Sequence, residues 1–161
     1  MPPERTRTYW DSCAFLSYIN SVPDRLPTLD ALLEESADPA NEREIVTSAF
    51  TITEVAFALK EKEQKALDSQ TERNIGALWS DRYAVKLIDL HEGIATVART
   101  LIREAVADGL SLKPGDAVHL ATARSLGCLD LHTYSKDLPR FSGLVGLTVT
   151  EPYTGQGRLA V

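Results

Sequence analysis

The feature that most constrains the fold is the stretch 112–141, which predicts a helix, a turn, a buried strand and a polar loop in immediate succession. Pro114 fits the first turn of a helix, where its missing N–H group leaves no hydrogen bond unmade. Gly127 is expected to end that helix, because glycine adopts the left-handed conformation beyond a C-cap without steric cost. The apolar run 128–133 then predicts a short strand.

Strands and helices alternate along the rest of the chain as well. The amphipathic pattern of residues 92–109 predicts one long helix, and the charged segment 60–82 predicts a surface helix or a helical hairpin. Strands separated by helices imply a mainly parallel sheet with right-handed crossovers. Loops at the carboxyl edge of such a sheet share one crevice, where α/β folds bind their ligands. The predicted strands are 5–10, 44–50, 84–90, 128–133 and 147–150.

Composition limits the class of protein. The chain has 161 residues, 43% of them hydrophobic, which suits one folded domain. No stretch approaches the roughly 20 apolar residues of a membrane span, and the N-terminus lacks the apolar stretch of a signal peptide. We therefore expect a cytoplasmic protein with no membrane partner and with its two cysteines reduced. A net charge of −6 argues against a broad basic surface for nucleic acid, but not against a nuclease whose acids bind metal ions.

Four acidic residues fall at the ends of predicted elements. Asp11 and Glu54 follow the first two strands, Asp116 opens a helix and Asp137 closes a strand. Each has a structural alternative: Asp11 is a favoured helix N-cap, and Thr51 with Glu54 three residues later matches a capping box. Four carboxylates in one crevice repel each other unless they are paired or bind cations, and hard divalent cations prefer oxygen ligands. Both interpretations, a metal centre and a set of caps, stay open at this point.

The histidines offer less. His119 lies one helical turn after Asp116, so it either contacts the same site or has a structural role. His91 in a loop and His132 in the fourth strand are expected to be structural.

The pattern resembles a PIN domain, most closely the VapC-type toxins of bacterial toxin–antitoxin pairs. The match runs over roughly residues 5–150, and its most specific part is the segment 116–123. The matching positions are Asp11 and Ser12, Ser48, residues 51–55 (TITEV), residues 116–123 (DAVHLATA), residues 135–137 (SKD) and Phe141.

This resemblance implies a three-layer α/β/α sandwich with a central, mainly parallel sheet over residues 5–150, and a C-terminal tail at 151–161. It implies a metal-dependent endoribonuclease that hydrolyses RNA phosphodiester bonds as the toxin of a type II toxin–antitoxin pair. The implied partners are RNA, a cognate antitoxin protein and a second copy of the chain, with the proteins meeting the segment 60–82. Two alternatives stay open: a PIN-like protein-binding module without catalysis, and a nuclease that acts on DNA.

The resemblance also assigns the site. The expected catalytic residues, which would hold Mg²⁺ or Mn²⁺, are Asp11, Glu54, Asp116 and Asp137. Ser12 and Ser135 are expected to support the acids. Lys136 and Arg140 are expected to contact substrate phosphate or to balance the acidic charge. Arg140 is a departure, because many members carry a further acid there, so the fourth corner of the site depends on Asp137 alone.

Overall fold

A single sheet of parallel strands forms the centre of the computed structural model, which describes residues 4–155. Within those residues the strands are β1 (Thr6–Trp10), β2 (Arg43–Ser48), β3 (Val85–Ile88), β4 (Asp130–His132) and β5 (Thr148–Thr150). Their order across the sheet is β3-β2-β1-β4-β5, and every neighbouring pair is parallel. The predicted mainly parallel sheet is confirmed.

Helices fill the segments between the strands, as the alternating pattern predicts. The long helix predicted at 92–109 forms as Glu92–Ala107. The charged segment predicted as a surface helix or a helical hairpin at 60–82 forms two helices, Leu59–Gln64 and Ser69–Ser80. In order they are α1 (Ser12–Ile19), α2 (Leu26–Ala37), α3 (Phe50–Glu54), α4 (Leu59–Gln64), α5 (Ser69–Ser80), α6 (Glu92–Ala107), α7 (Pro114–Ser125), a 3-10 turn (Leu138–Phe141) and α8 (Ser142–Val145).

The alternation of side chains along β1 divides the core into two. Tyr9 packs on one face of the sheet with α6 and α7, and Trp10 packs on the other face with α1, α2 and α5. Helices therefore cover both faces, which confirms the three-layer α/β/α sandwich. Fully buried side chains such as Phe15 and Leu131 contribute roughly 1.5–3 kcal/mol each to the stability of these layers.

The turn after α7 forms as the sequence predicts. The helix ends at Ser125, and Gly127 follows with a φ of 63°, in the left-handed region that glycine enters without strain. This turn leads the chain into β4 beside β1, where Thr8 pairs with Asp130. Because β4 is parallel to β1, the residues that follow both strands lie at the same edge of the sheet.

The packed part of the chain continues past the predicted boundary at residue 150. Tyr153 donates a hydrogen bond from its hydroxyl to the buried Asp130, and the guanidinium of Arg43 lies 5.0 Å from the centre of its ring. Residues 156–161 of the predicted tail lie outside the described residues. Within residues 4–155, none of the helices combines the length and the apolar character needed to cross a bilayer.

Candidate active site

Asp11 lies at the carboxyl edge of the sheet, directly after β1, and both of its oxygens are already engaged. Oδ1 accepts a hydrogen bond from the backbone N–H of Ala14 at 3.2 Å, so Asp11 is the N-cap of α1. Oδ2 accepts one from the hydroxyl of Thr133, which follows β4, at 2.5 Å. The cap interpretation is therefore correct, and each oxygen keeps lone pairs for a further partner.

The surroundings of Asp11 disfavour its charge. The side chain is 3% exposed, and burial raises its pKa from 3.8 to about 6. The hydrogen bond from Thr133 and the neighbouring His119 lower the pKa of Asp11, while the negative charge of Asp116 raises it. An ionised Asp11 is thus held at a free-energy cost that a nearby cation would offset.

The predicted capping box of Thr51 and Glu54 is wrong. The chain is already helical at Phe50, so Thr51 lies inside α3 and its hydroxyl bonds the Thr47 hydroxyl at 2.7 Å. Glu54 is the last residue of α3 rather than part of its first turn. Its carboxylate therefore has no cap to form and extends toward α7.

Glu54 meets the first two turns of α7. Its Oε1 forms a hydrogen bond with Nε2 of His119, a residue that is 1% exposed. Its Oε2 lies against Gly115, where an added Cβ atom would stand 3.3 Å away. The absence of a side chain at Gly115 therefore allows the carboxylate to approach the helix closely.

Asp116 lies half-buried in the first turn of α7, and the other acids affect its pKa. Burial raises its pKa most, and the negative charges of Glu54 and Asp137 raise it further. The neighbouring side chains of His119 and Lys113 lower the pKa of Asp116. Asp11, Glu54 and Asp137 thus each lie within electrostatic range of Asp116. Their role as one metal site remains a prediction.

The loop after β4 holds the remaining predicted residues. Asp137 does not close the strand, because β4 ends at His132 and Asp137 precedes the 3-10 turn, where it is exposed. Ser135 supports the backbone rather than a carboxylate, since its Oγ accepts the N–H of Asp137 at 3.3 Å. Lys136 is exposed beside them.

Arg140 turns toward the loop before α7. Its Nη2 donates to the carbonyl of Ser111 at 3.3 Å, and its guanidinium lies 5.0 Å from the ring centre of Phe141. Ser12 is the half-buried first residue of α1, next to Asp11. Roles for Ser12, Lys136 and Arg140 in the site remain predictions.

The opposite edge of the sheet shows how this protein neutralises a buried acid. Glu44, near the start of β2, is within 4 Å of the Nη1 of Arg5 (3.8 Å), the Nε of Arg7 (3.3 Å) and the Nζ of Lys86 (3.6 Å). At the carboxyl edge, His119 and Lys113 are two side chains that lower the pKa of Asp116.

The donor chemistry at the carboxyl edge suits a hard cation. Burial and the acids Asp11, Asp116 and Glu54 raise the pKa of the neighbouring Cys13 to about 11, which keeps that thiol neutral. The available ligands are therefore carboxylate oxygens, which Mg²⁺ and Mn²⁺ prefer over softer metals. As the side chains stand, no three His, Cys, Asp or Glu residues among the described ones are gathered closely enough to hold an ion.

The sequence reasoning underestimated three residues. His119 contacts Glu54, Thr133 bonds Asp11, and Tyr9 bonds Nδ1 of His119 at 2.6 Å. The helical spacing of His119 from Asp116 was a usable indication. The Thr133 bond follows only from knowing that β1 and β4 are neighbours in the sheet. The Tyr9 bond follows only from knowing that α7 packs on the face of the sheet that carries Tyr9.

Residues 8–144 match the model of the PIN domain. The chain belongs to the PIN domain family. PIN domains are nucleases and generally use divalent metal ions. The acids of this PIN domain lie where the sheet brings its strand ends together, which is consistent with that chemistry.

Solved structures similar to this PIN domain include proteins of toxin–antitoxin systems. VapBC2 of Rickettsia felis, bound to a promoter DNA fragment, has a TM-score of 0.66 at 18% identity, over 89% of this chain and 97% of that chain. VapC20 of Mycobacterium tuberculosis, a sarcin-ricin loop cleaving toxin, has a TM-score of 0.59 at 14% identity, over 81% and 92%. A toxin–antitoxin complex of Klebsiella pneumoniae has a TM-score of 0.58 at 24% identity, over 91% and 98%. These likenesses establish the fold, and no curated protein sequence matches the chain significantly.

Proposed function

We propose that this PIN domain is a metal-dependent endoribonuclease and acts in the cytoplasm as the toxin of a type II toxin–antitoxin pair. The observation that carries the proposal is that Asp11, Glu54 and Asp116 lie close enough at the carboxyl edge of the sheet for the charge of Asp116 to raise the pKa of Asp11 and the charge of Glu54 to raise the pKa of Asp116. The nuclease activity of the family and the likeness to VapBC structures support the proposal.

The chain's own residues would hold and surround the ion. Bound Mg²⁺ or Mn²⁺ supplies a water of lowered pKa and stabilises negative charge on a phosphodiester. Asp11 is kept in place by Ala14 and Thr133, so it is the best-ordered ligand of the proposed set. Glu54 and Asp116 would complete it, and exposed Asp137 would flank it. Lys136 and Arg140, near the rim, are proposed to meet substrate phosphate.

A cleavage assay on purified protein tests the activity. Structured RNA should be cut in the presence of Mg²⁺ or Mn²⁺ and stay intact in EDTA. Asp11→Asn and Asp116→Asn should reduce cleavage to the level of the protein-free sample while the far-UV circular dichroism stays native. Glu42→Gln is the matched control, since Glu42 is an exposed acid directly before β2, at the opposite edge. Full cleavage by either aspartate variant contradicts the proposal.

The same preparations separate the alternatives. Binding of Mn²⁺ can be followed by the loss of its free-ion electron paramagnetic resonance signal. No binding at millimolar Mn²⁺ would indicate a protein-binding module without catalysis. Cleavage of single-stranded DNA of the same sequence, with RNA left intact, would indicate a DNA nuclease.

The proposed antitoxin and the second copy of the chain have a candidate surface. Three exposed apolar side chains near α4, Phe57, Leu59 and Leu67, form what we call the hairpin surface. The side chain of Leu67 is 90% exposed. Exposed apolar clusters on one face often mark protein contacts. Light scattering should report a dimer for the isolated chain, and an unchanged dimer in Leu67→Asp would place its interface elsewhere.

A further inference from the structure

A continuous hydrogen-bonded chain connects the sheet to Glu54. The hydroxyl of Tyr9 lies 2.6 Å from Nδ1 of His119, and Nε2 of His119 bonds Oε1 of Glu54. Tyr9 and His119 are 0% and 1% exposed, so water does not compete for these bonds. The chain joins β1, α7 and α3.

The hydrogens of this chain can be placed as follows for a neutral His119. The backbone N–H of Ser48 donates to the oxygen of Tyr9 at 3.1 Å. The single hydrogen of that hydroxyl is then available for Nδ1 of His119. With Nδ1 as the acceptor, Nε2 carries a hydrogen and donates it to Glu54. The direction of donation therefore runs from the sheet outward to the carboxylate.

The bond from His119 leaves half of the Glu54 carboxylate free. Oε1 is taken, and Oε2 lies over Gly115, next to Asp116 in the first turn of α7. A rigid ring donor on one oxygen fixes the direction of the other. Glu54 ends a helix of five residues and is followed by a non-helical residue, so its own backbone restrains it little. Groups that bond a metal ligand from behind raise metal affinity by fixing its orientation.

We propose that His119, held by Tyr9, is a positioning residue that presents Oε2 of Glu54 to the cation of this site. This inference rests on the proposed metal-dependent function. It is distinct from the ligand set itself, because His119 acts only through Glu54 and touches no substrate.

Two amide variants divide the function of the imidazole. His119→Gln places an amide N–H donor about where Nε2 stands and should keep Glu54 oriented, so Mn²⁺ affinity should stay within a few-fold of the wild type. In His119→Asn the shorter side chain places its oxygen near the position of Nδ1 and cannot reach Glu54. His119→Asn should weaken Mn²⁺ binding about 10- to 100-fold, the usual effect of losing such a partner. Binding is measured by electron paramagnetic resonance, without any RNA.

A double-mutant cycle shows whether the effect passes through Glu54. In a Glu54→Gln background, His119→Asn should cause no further loss of Mn²⁺ affinity. The inference would be overturned if His119→Asn bound Mn²⁺ as tightly as the wild type or more tightly. It would also be overturned if His119→Asn lost the same Mn²⁺ affinity in the Glu54→Gln background as in the wild type. If His119→Asn does not fold, Tyr9→Phe replaces it: a several-fold loss of affinity is expected, and none would overturn the inference. Absence of Mn²⁺ binding by the wild type would instead contradict the proposed function.

Discussion

The strongest test of the electrostatics is the pH dependence of stability in Asp11→Asn. Burial raises the pKa of Asp11 from 3.8 to about 6, so the folded chain holds that proton more tightly than the unfolded chain does. The folded state is therefore favoured below about pH 4 and loses this contribution as the pH rises through 6. Asparagine carries no proton to lose, and it remains a good N-cap for Ala14.

The size of the effect follows from the shift. One pKa unit corresponds to about 1.4 kcal/mol, so a rise of about two units costs the folded wild type about 3 kcal/mol at neutral pH. About 2 kcal/mol of this falls between about pH 4.5 and about pH 7.5. The free-energy difference between Asp11→Asn and the wild type should change by that amount over this range, in favour of the variant at the higher pH.

Urea unfolding in EDTA, followed by circular dichroism at the two pH values, measures this difference. The other titrating groups act on both proteins and cancel, apart from small changes at His119 and Asp116, which interact with the charge of Asp11. Glu42→Gln is the control, because Glu42 is an exposed acid directly before β2, at the opposite edge of the sheet from Asp11. Equal pH slopes for wild type and Asp11→Asn would refute the reasoning that burial destabilises this carboxylate.

Three further changes probe other contacts. Gly115→Ala should raise or preserve stability, since alanine is favoured over glycine in helices by about 0.5–1 kcal/mol. The added Cβ atom should displace Glu54 and so weaken Mn²⁺ binding, and unchanged binding in a titration would contradict this. Tyr153→Phe removes a hydrogen bond to Asp130, whose pKa is about 2 because bonds from His132 and Tyr153 outweigh its burial. The variant's free energy of unfolding above pH 4 should fall by about 1–3 kcal/mol. The pH midpoint of its acid unfolding, followed by circular dichroism, should rise. Leu67→Asp should dissociate the expected dimer in light scattering without a change in secondary structure.

The fold was largely predictable because its signals are local. The apolar runs of the strands, the stripe of α6 and the glycine after α7 each act within a few residues, and each is confirmed. The convergence of Asp11 and Asp116 followed from the parallel sheet alone. The predicted capping box failed because α3 already begins at Phe50, which places Thr51 inside the helix with its hydroxyl bonded to that of Thr47. Local pattern reading does not fix the residue at which a helix begins.

The support of the acids was not predictable in the same way. Thr133 bonds Asp11 across 122 residues, and Tyr9 reaches His119 across 110. Such bonds depend on which strands are neighbours and on which face of the sheet a side chain points to. The alternation of residues along a strand indicates which face of the sheet a side chain points to. Nothing in the sequence directly indicates which strands are neighbours.

The central claim is that Asp11, Glu54 and Asp116 jointly hold one divalent cation. An anomalous difference map from crystals soaked in Mn²⁺ tests it most directly. The account predicts a peak at roughly 2 Å from an oxygen of each of the three carboxylates. A peak elsewhere in the molecule, or none at saturating Mn²⁺, would contradict the account.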